Sequence, residues 1–245
     1  MTTDTYAKEA MASGSGFTVG GMAKGSGMIH PQMATMLAVV TTDYPLAAGE
    51  AIDVLRPAVD ASFNSISVDG ESSTNDAVIL LANGASGVER TPETDVEFAA
   101  CVKRVCGELA KHIVADGEGA SVVAEIAVRG AASDGEARAI AERVATSPLV
   151  KTALFGHDAN WGRIAAAAGS AKHDGGFAAL DPDKLSIVID GVPVLVGGMP
   201  SGDEPVLTNG HCAIEIDLAL GDGVASYLTS GLSYDYVRIN AEYRS

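Results

Sequence analysis

The sequence predicts a mixed α/β fold in which helices are layered against mixed and antiparallel sheets. Short β-branched runs alternate with amphipathic stretches through the first two thirds of the chain. The pattern then turns to strict alternation, as where Ile214 and Ile216 stand against Glu215 and Asp217. With 47% hydrophobic residues among 245 positions, the chain can bury a substantial core and is not a disordered sequence.

The chain opens on polar Thr2, Thr3, Asp4 and Thr5, and Phe17-Thr18-Val19 reads as a short strand. Residues 20–27 read as a loop, because Gly20, Gly21, Gly25 and Gly27 let the backbone turn sharply. Residues 36–40 are apolar and end at Thr41-Thr42-Asp43, which suits a buried strand. In residues 45–63, Ile52, Leu55, Val59 and Phe63 recur at helical spacing, and Pro57 should bend or end that helix. Residues 66–68 and 77–81 read as strands around a polar turn. That turn either lines a site, shapes the loop before residue 35, or is a plain hydrogen-bonded turn.

Thr91-Pro92-Glu93 is a helix start, with an N-cap threonine, proline at the first helical position and an acid in the first turn. The helix should run to about Ala115 with Phe98, Val102, Val105, Leu109 and Ile113 inward, and Asp116-Gly117-Glu118-Gly119 stops it. A strand is expected over residues 121–128, and Ser133-Asp134 should cap a helix reaching Val144. Residues 148–155 read as a short strand or extended connection, and residues 161–171 as a helix of small residues that packs closely. Trp161, the sole tryptophan, reads as a core anchor in preference to a stacking platform. Asp190-Gly191, between two β-branched runs, signals a type I′ hairpin. Residues 212–218 and 236–239 complete a strand-rich end. The change of period at Lys184 sets a mainly β portion, residues 176–245, apart from the α/β portion before it, residues 35–175.

Charge and composition exclude several functions. A formal net charge of −16 argues against binding a phosphate backbone, which rests on Lys and Arg. No apolar run approaches the ~18 residues that mark a membrane span, and the first residues lack the pattern of a signal peptide. Three cysteines with no CxxC pair read as reduced structural thiols, and the cytoplasm is the default compartment. The five histidines show no metal-ligand spacing, so no metal is expected. The glycines near Lys24 lack the order of a phosphate loop.

The chemistry to look for lies at Ala34-Thr35, where the glycine-rich stretch meets the apolar run. A bent peptide there would let the Thr35 hydroxyl attack the Ala34 carbonyl, and hydrolysis of the ester would leave Thr35 as a new N-terminus. Its α-amine, with an ordinary pKa of about 7.7–8.0, would serve as base beside its own hydroxyl. The same residues also read simply as the start of a strand. Lys24 reads as a carboxylate ligand or a surface lysine, and Glu118 as a ligand group in a glycine-flanked loop or a solvated acid.

The run from Gly20 to Leu37 resembles the bifunctional ornithine acetyltransferase/glutamate N-acetyltransferase family of arginine biosynthesis. Further matches are Ser67-Val68-Asp69-Gly70-Glu71-Ser72-Ser73-Thr74-Asn75-Asp76, Asp116-Gly117-Glu118-Gly119-Ala120, Gly156-His157-Asp158-Ala159-Asn160-Trp161-Gly162-Arg163 and the run from Leu232 to Arg244. The resemblance spans essentially the whole chain but not the whole family protein, whose upstream segment, with its oxyanion hole, is lacking. It implies a self-processing, amidohydrolase-like acyltransferase architecture. Residues 1–34 would then be the tail of the upstream (alpha) chain, cut between Ala34 and Thr35. Thr35 corresponds to the nucleophile, and Thr2, Lys24, Glu118 and Asn240 to substrate-contacting positions. Ser245 stands in the place of a C-terminal threonine. His157 stands where the family usually shows an acid. The implied substrates are N-acetylornithine and glutamate, with no cofactor and with acetyl-CoA as co-substrate in some members. The implied assembly has two alpha and two beta chains. Two other readings of the same resemblance are a non-catalytic remnant and a self-cleaving amidohydrolase that passes the acyl group to water.

Overall fold

The computed structural model describes residues 3–30, 36–208 and 210–242. By its contacts the chain forms two units, Met1–Gly117 and Glu118–Ser245.

The first unit holds strands β1 (Lys8–Gly14), β2 (Phe17–Lys24), β3 (Leu37–Thr42), β4 (Ile66–Ser67) and β5 (Ala77–Ala82). Its helices are α1 (Ala51–Asp60) and α2 (Pro92–Ala115). Four strands make a sheet in the order β1-β2-β3-β5, antiparallel except for the parallel pair β3–β5. The expected α2 forms with its bounds and inward residues as the sequence indicates; Phe98, Val102, Val105, Leu109 and Ile113 are all buried. Thr91 and Thr94 cap it reciprocally, Thr94 N–H to Thr91 Oγ1 at 3.3 Å and Thr91 N–H to Thr94 Oγ1 at 2.9 Å, which contributes about 1 kcal/mol. Phe17, Tyr44 and Phe98 form an aromatic cluster, with Tyr44 and Phe98 stacked at 4.5 Å.

Of the loop expected over residues 20–27, residues 20–24 are strand instead, while residues 25–27 lie beyond the strand's end. Gly20, Gly21 and Lys24 lie in β2, which pairs along its length with β1 on one edge and along 19–24 with β3 on the other. Cross-strand hydrogen bonds on both edges override the poor strand propensity of glycine. Gly21 also has a packing reason. A Cβ there would lie 3.0 Å from Val105 Cγ1 and 3.1 Å from Leu109 Cδ1, so α2 packs against the bare backbone and would have to give by a few tenths of an ångström to admit a side chain. The polar opening was not expected to lead into a strand, yet β1 follows it. Helix α1 begins only at Ala51 and contains Pro57 without ending there.

The sheet's other face exposes several large apolar side chains, with Glu9, Lys24 and Thr41 among them. Register places Met22, Val39 and Ile79 in one row across it, and Met11, Gly20, Thr41 and Leu81 in another. Met11, Met22, Leu37, Ile79 and Leu81 are 48–66% exposed.

The second unit holds β6 (Val122–Ala131), α3 (Asp134–Ala145), α4 (Pro148–Phe155) and α5 (Trp161–Gly169). A two-stranded ribbon of β7 (Lys172–His173) and β8 (Gly176–Phe177) follows. Then come β9 (Ser186–Ile189), β10 (Val192–Val196), β11 (Met199–Pro200), β12 (Gly210–Asp217), β13 (Gly223–Ser230) and α6 (Tyr234–Glu242). Its strands run β11-β10-β9-β12-β6-β13, with β12 parallel to β6 and the other pairs antiparallel. Alternate residues Val122, Ala124, Ile126 and Val128 of β6 pack with Ile187, Ile189, Ile214 and Ile216 and with Ile140 and Val144 of α3. Asp190 and Gly191 have φ of 47° and 78°, as the type I′ turn requires.

Two sequence readings fail in this unit. Residues 148–155 are helical, because Pro148 sits at the first helical position and Val150, Ala153 and Leu154 bury one face. Residues 236–239 belong to helix α6, whose start is capped by Ser233 Oγ accepting the Tyr236 N–H at 3.2 Å. Strand β13 was not anticipated. The boundary between the two units lies at Gly117/Glu118, apart from the division at 34/35 that the resemblance implies and the one at 175/176 read from the change of period. Strands β2 and β3 lie on either side of residues 34 and 35 yet pair with each other, and β6 and β12 do the same across residue 175.

Candidate functional site

Thr2, Ala34, Thr35 and Ser245 lie outside the described residues, so the candidate nucleophile and cleavage bond are judged from what flanks them. The flanks are held by one turn, residues 69–76. On the upstream side, the Asp69 carboxylate accepts the N–H groups of Met28 at 2.7 Å and Ile29 at 3.0 Å. Ile29 O accepts from Val68 N–H at 2.9 Å and from Ser67 Oγ at 3.1 Å. On the downstream side, Asp76 Oδ1 accepts the Met36 N–H at 2.7 Å. The turn also carries the local bonds of the plain reading, Glu71 N–H to Asp69 Oδ1 at 3.2 Å and Asn75 N–H to Ser73 Oγ at 3.2 Å, so both readings describe it: it is a hydrogen-bonded turn whose two carboxylates hold Met28, Ile29 and Met36.

A cavity of about 470 Å³ adjoins these anchors, lined by Ile29, His30, Met36 and Asp76 with Arg56 and Asp60 of α1. Burial raises the Asp76 pKa above the ordinary carboxylate value, while the Met36 N–H and the positive charge of Lys24 pull it down. Lys24 ends β2, half-buried, opposite Leu37.

The turn after Lys24 is tied to the start of the chain. Asp4 Oδ1 accepts the Gly25 N–H at 2.8 Å and pairs with Lys8, which also meets Asp116 at 2.5 Å. Asp116 accepts the Thr5 N–H at 2.9 Å. Lys8 is wholly buried between these two carboxylates, an arrangement that sequence reading missed because its partners lie 4 and 108 positions away.

In the second unit, two predicted site residues meet. Asn240 Nδ2 donates to Glu118 Oε2 at 2.7 Å and to Tyr236 O at 3.0 Å. Gly119, at φ +69°, lets the backbone turn against the first turn of α6, which aims Glu118 at Asn240. A carboxylate held by an amide donor is suited to a cationic group. Asp69 and Asp76 were visible beforehand only as members of a polar turn. A carboxylate between two strands is a weak signal, since nothing local says which N–H it will meet.

Among the described residues no group of His, Cys, Asp and Glu is arranged to hold a metal ion, and no helix is long and apolar enough to cross a membrane. Comparison with known proteins adds identity to this geometry. The profile of the ArgJ family matches residues 1–245. The chain belongs to the ArgJ family. It is 48% identical to the arginine biosynthesis bifunctional protein ArgJ of Syntrophotalea carbinolica, over all of this chain and 64% of that protein. It is 45% identical to the glutamate N-acetyltransferase of Methanopyrus kandleri, again over all of this chain and 64% of the relative. The chain therefore spans a little under two thirds of the length of these relatives. The crystal structure of the arginine biosynthesis bifunctional protein ArgJ from Bacillus halodurans superposes with a TM-score of 0.74 at 36% identity, over 83% of this chain and 97% of that one. The ArgJ fold is thus a mixed α/β one, as the sequence indicates.

Proposed function

We propose that this chain is the nucleophile-bearing part of an acetyltransferase that moves an acetyl group from N-acetylornithine to glutamate. The observation that carries the reading is the double anchoring of the Ala34-Thr35 segment by Asp69 and Asp76 in a member of the ArgJ family. Chain cleavage precedes turnover. The Thr35 hydroxyl oxygen adds to the Ala34 carbonyl, the bond to the Thr35 nitrogen breaks, and the hydroxyl proton ends on that nitrogen. One water then hydrolyses the ester, giving an Ala34 carboxylate and a free Thr35 with its hydroxyl and α-amine. The length of the Bacillus halodurans chain supports this. From the coverage it is about 210 residues (0.83 × 245 / 0.97), against 245 − 34 = 211 that would follow Ala34 here.

In the transfer, the Thr35 hydroxyl attacks the acetyl carbonyl of N-acetylornithine, and its α-amine passes the proton to the departing ornithine amine. The α-amine of glutamate then attacks the acetyl-threonyl ester and restores the hydroxyl. We assign Glu118, oriented by Asn240, to the side-chain ammonium of ornithine and Lys24 to a substrate carboxylate, with Thr2 and Ser245 as further substrate contacts. No metal or cofactor enters these steps; acetyl-CoA is an alternative donor. The upstream alpha segment covers the exposed face of the first unit's sheet, and two such pairs assemble into a heterotetramer in the cytoplasm. The exposed Met11, Met22, Leu37, Ile79 and Leu81 support a covering partner.

Intact-mass measurement on the protein expressed with its upstream region tests the reading. A break after residue 34, abolished by Thr35→Ala together with transfer from N-acetylornithine to glutamate, is the expected result. Transfer surviving in T35A refutes the assignment of the nucleophile. Acetate released without acetylglutamate points instead to the hydrolase.

A further inference from the structure

Both backbone polar atoms of Met36 are held by two consecutive residues at the start of β5, Asp76 and Ala77. Asp76 Oδ1 accepts the Met36 N–H at 2.7 Å, and Ala77 donates its N–H to Met36 O at 3.2 Å. Leu37 then pairs with Lys24 on one side and Ala77 on the other, so the sheet takes over from the next residue onward. Met36 is buried, and its N–H without an acceptor would carry a full desolvation cost. Of these holds only the Asp76 contact is made by a side chain, and so it alone can be removed by substitution without breaking the strand pairing.

An acyl shift needs an attacking oxygen and a carbonyl held within a narrow window, and orientation of that kind supplies a large share of a barrier's reduction. We infer that Asp76 is a positioning residue for self-processing, fixing the downstream flank of residue 35 while its hydroxyl adds to the Ala34 carbonyl. The inference rests on the acyl-shift reading above. Asp76 neither gains nor loses a proton in that step: the hydroxyl proton passes to the Thr35 nitrogen, and one water later hydrolyses the ester. What the position requires is an acceptor oxygen, which an asparagine side chain also provides.

The experiment follows self-cleavage by intact mass over time in the protein expressed with the upstream region its relatives carry, as wild type, Asp76→Asn and Asp76→Ala. Hydrogen exchange over Leu37–Thr42 and Ala77–Ala82 is read in parallel. Wild type and D76N should cut at rates within about threefold of each other, and D76A on the order of 10- to 100-fold more slowly, with the two strands equally protected in all three. Equal rates in D76A and wild type overturn the inference while leaving the acyl shift standing. So does a D76N variant as slow as D76A. If D76A loses strand protection, D76N decides alone: cutting near the wild-type rate supports the role, and slow cutting in a protected sheet overturns it. A wild-type protein that stays whole overturns the acyl-shift reading itself, and this inference with it.

Discussion

Gly119→Ala probes the turn that carries Glu118. Gly119 sits at φ +69°, and a Cβ there would lie 2.5 Å from Ser233 Oγ, 2.6 Å from Tyr236 N and 3.1 Å from Asp235 C. The serine hydroxyl could rotate away, but it accepts the Tyr236 N–H that opens α6. The other two atoms are backbone of the same helical turn and cannot yield alone. A left-handed conformation costs a non-glycine residue about 1–2 kcal/mol, and forced overpacking adds about 1–3 kcal/mol. The sum is about 2–5 kcal/mol. At about 2–4 °C per kcal/mol for a protein of this size, Tm should fall by about 4–20 °C. Helix α6 would move as a body and take Asn240 away from Glu118, whose 2.7 Å contact spans 122 positions of sequence. Calorimetry measures the first effect, and isothermal titration with N-acetylornithine measures the second, as weakened binding. A Tm within about 1 °C of wild type would refute the steric reasoning.

Lys8→Met should destabilise the protein by about 3–5 kcal/mol, because it leaves Asp4 and Asp116 without their buried cation. Urea unfolding measures this, and a loss below about 1 kcal/mol would count against it. Burial pushes the thiol pKa up to about 11 at Cys106 and about 12 at Cys212. An alkylating reagent at pH 8 should therefore add no mass at either thiol in the folded protein and should modify both in denaturant. Because these folded pKa values exceed the unfolded value of about 8.5, the folded state keeps thiol protons above that pH that the unfolded state has already released, so unfolding becomes more favourable as pH rises. Their contribution to stability is complete below about pH 8.5 and should be lost as pH rises from there through about 11 for Cys106 and about 12 for Cys212; denaturation midpoints that rise over that range would contradict it.

Much of this protein follows from local rules in the chain. The capped helix α2, the Ser133 cap of α3 and the Asp190-Gly191 turn form where residue type and spacing place them, since caps and turns are satisfied within a few positions. The family motifs are likewise contiguous, and so was the resemblance they carry. Only the folded chain made a strand of Gly20 to Lys24, because hydrogen bonds from two neighbouring strands outweigh the preference of glycine for loops. It turned residues 148–155 and 236–239 into helices, where Pro148 leaves no orphan N–H at the first position and Ser233 accepts the Tyr236 N–H. It also brought Asp69 and Asp76 to the two flanks of the candidate cleavage segment and Asn240 to Glu118. Hydrogen bonds across 40 to 122 positions depend on where the backbone goes, which no short window of sequence encodes.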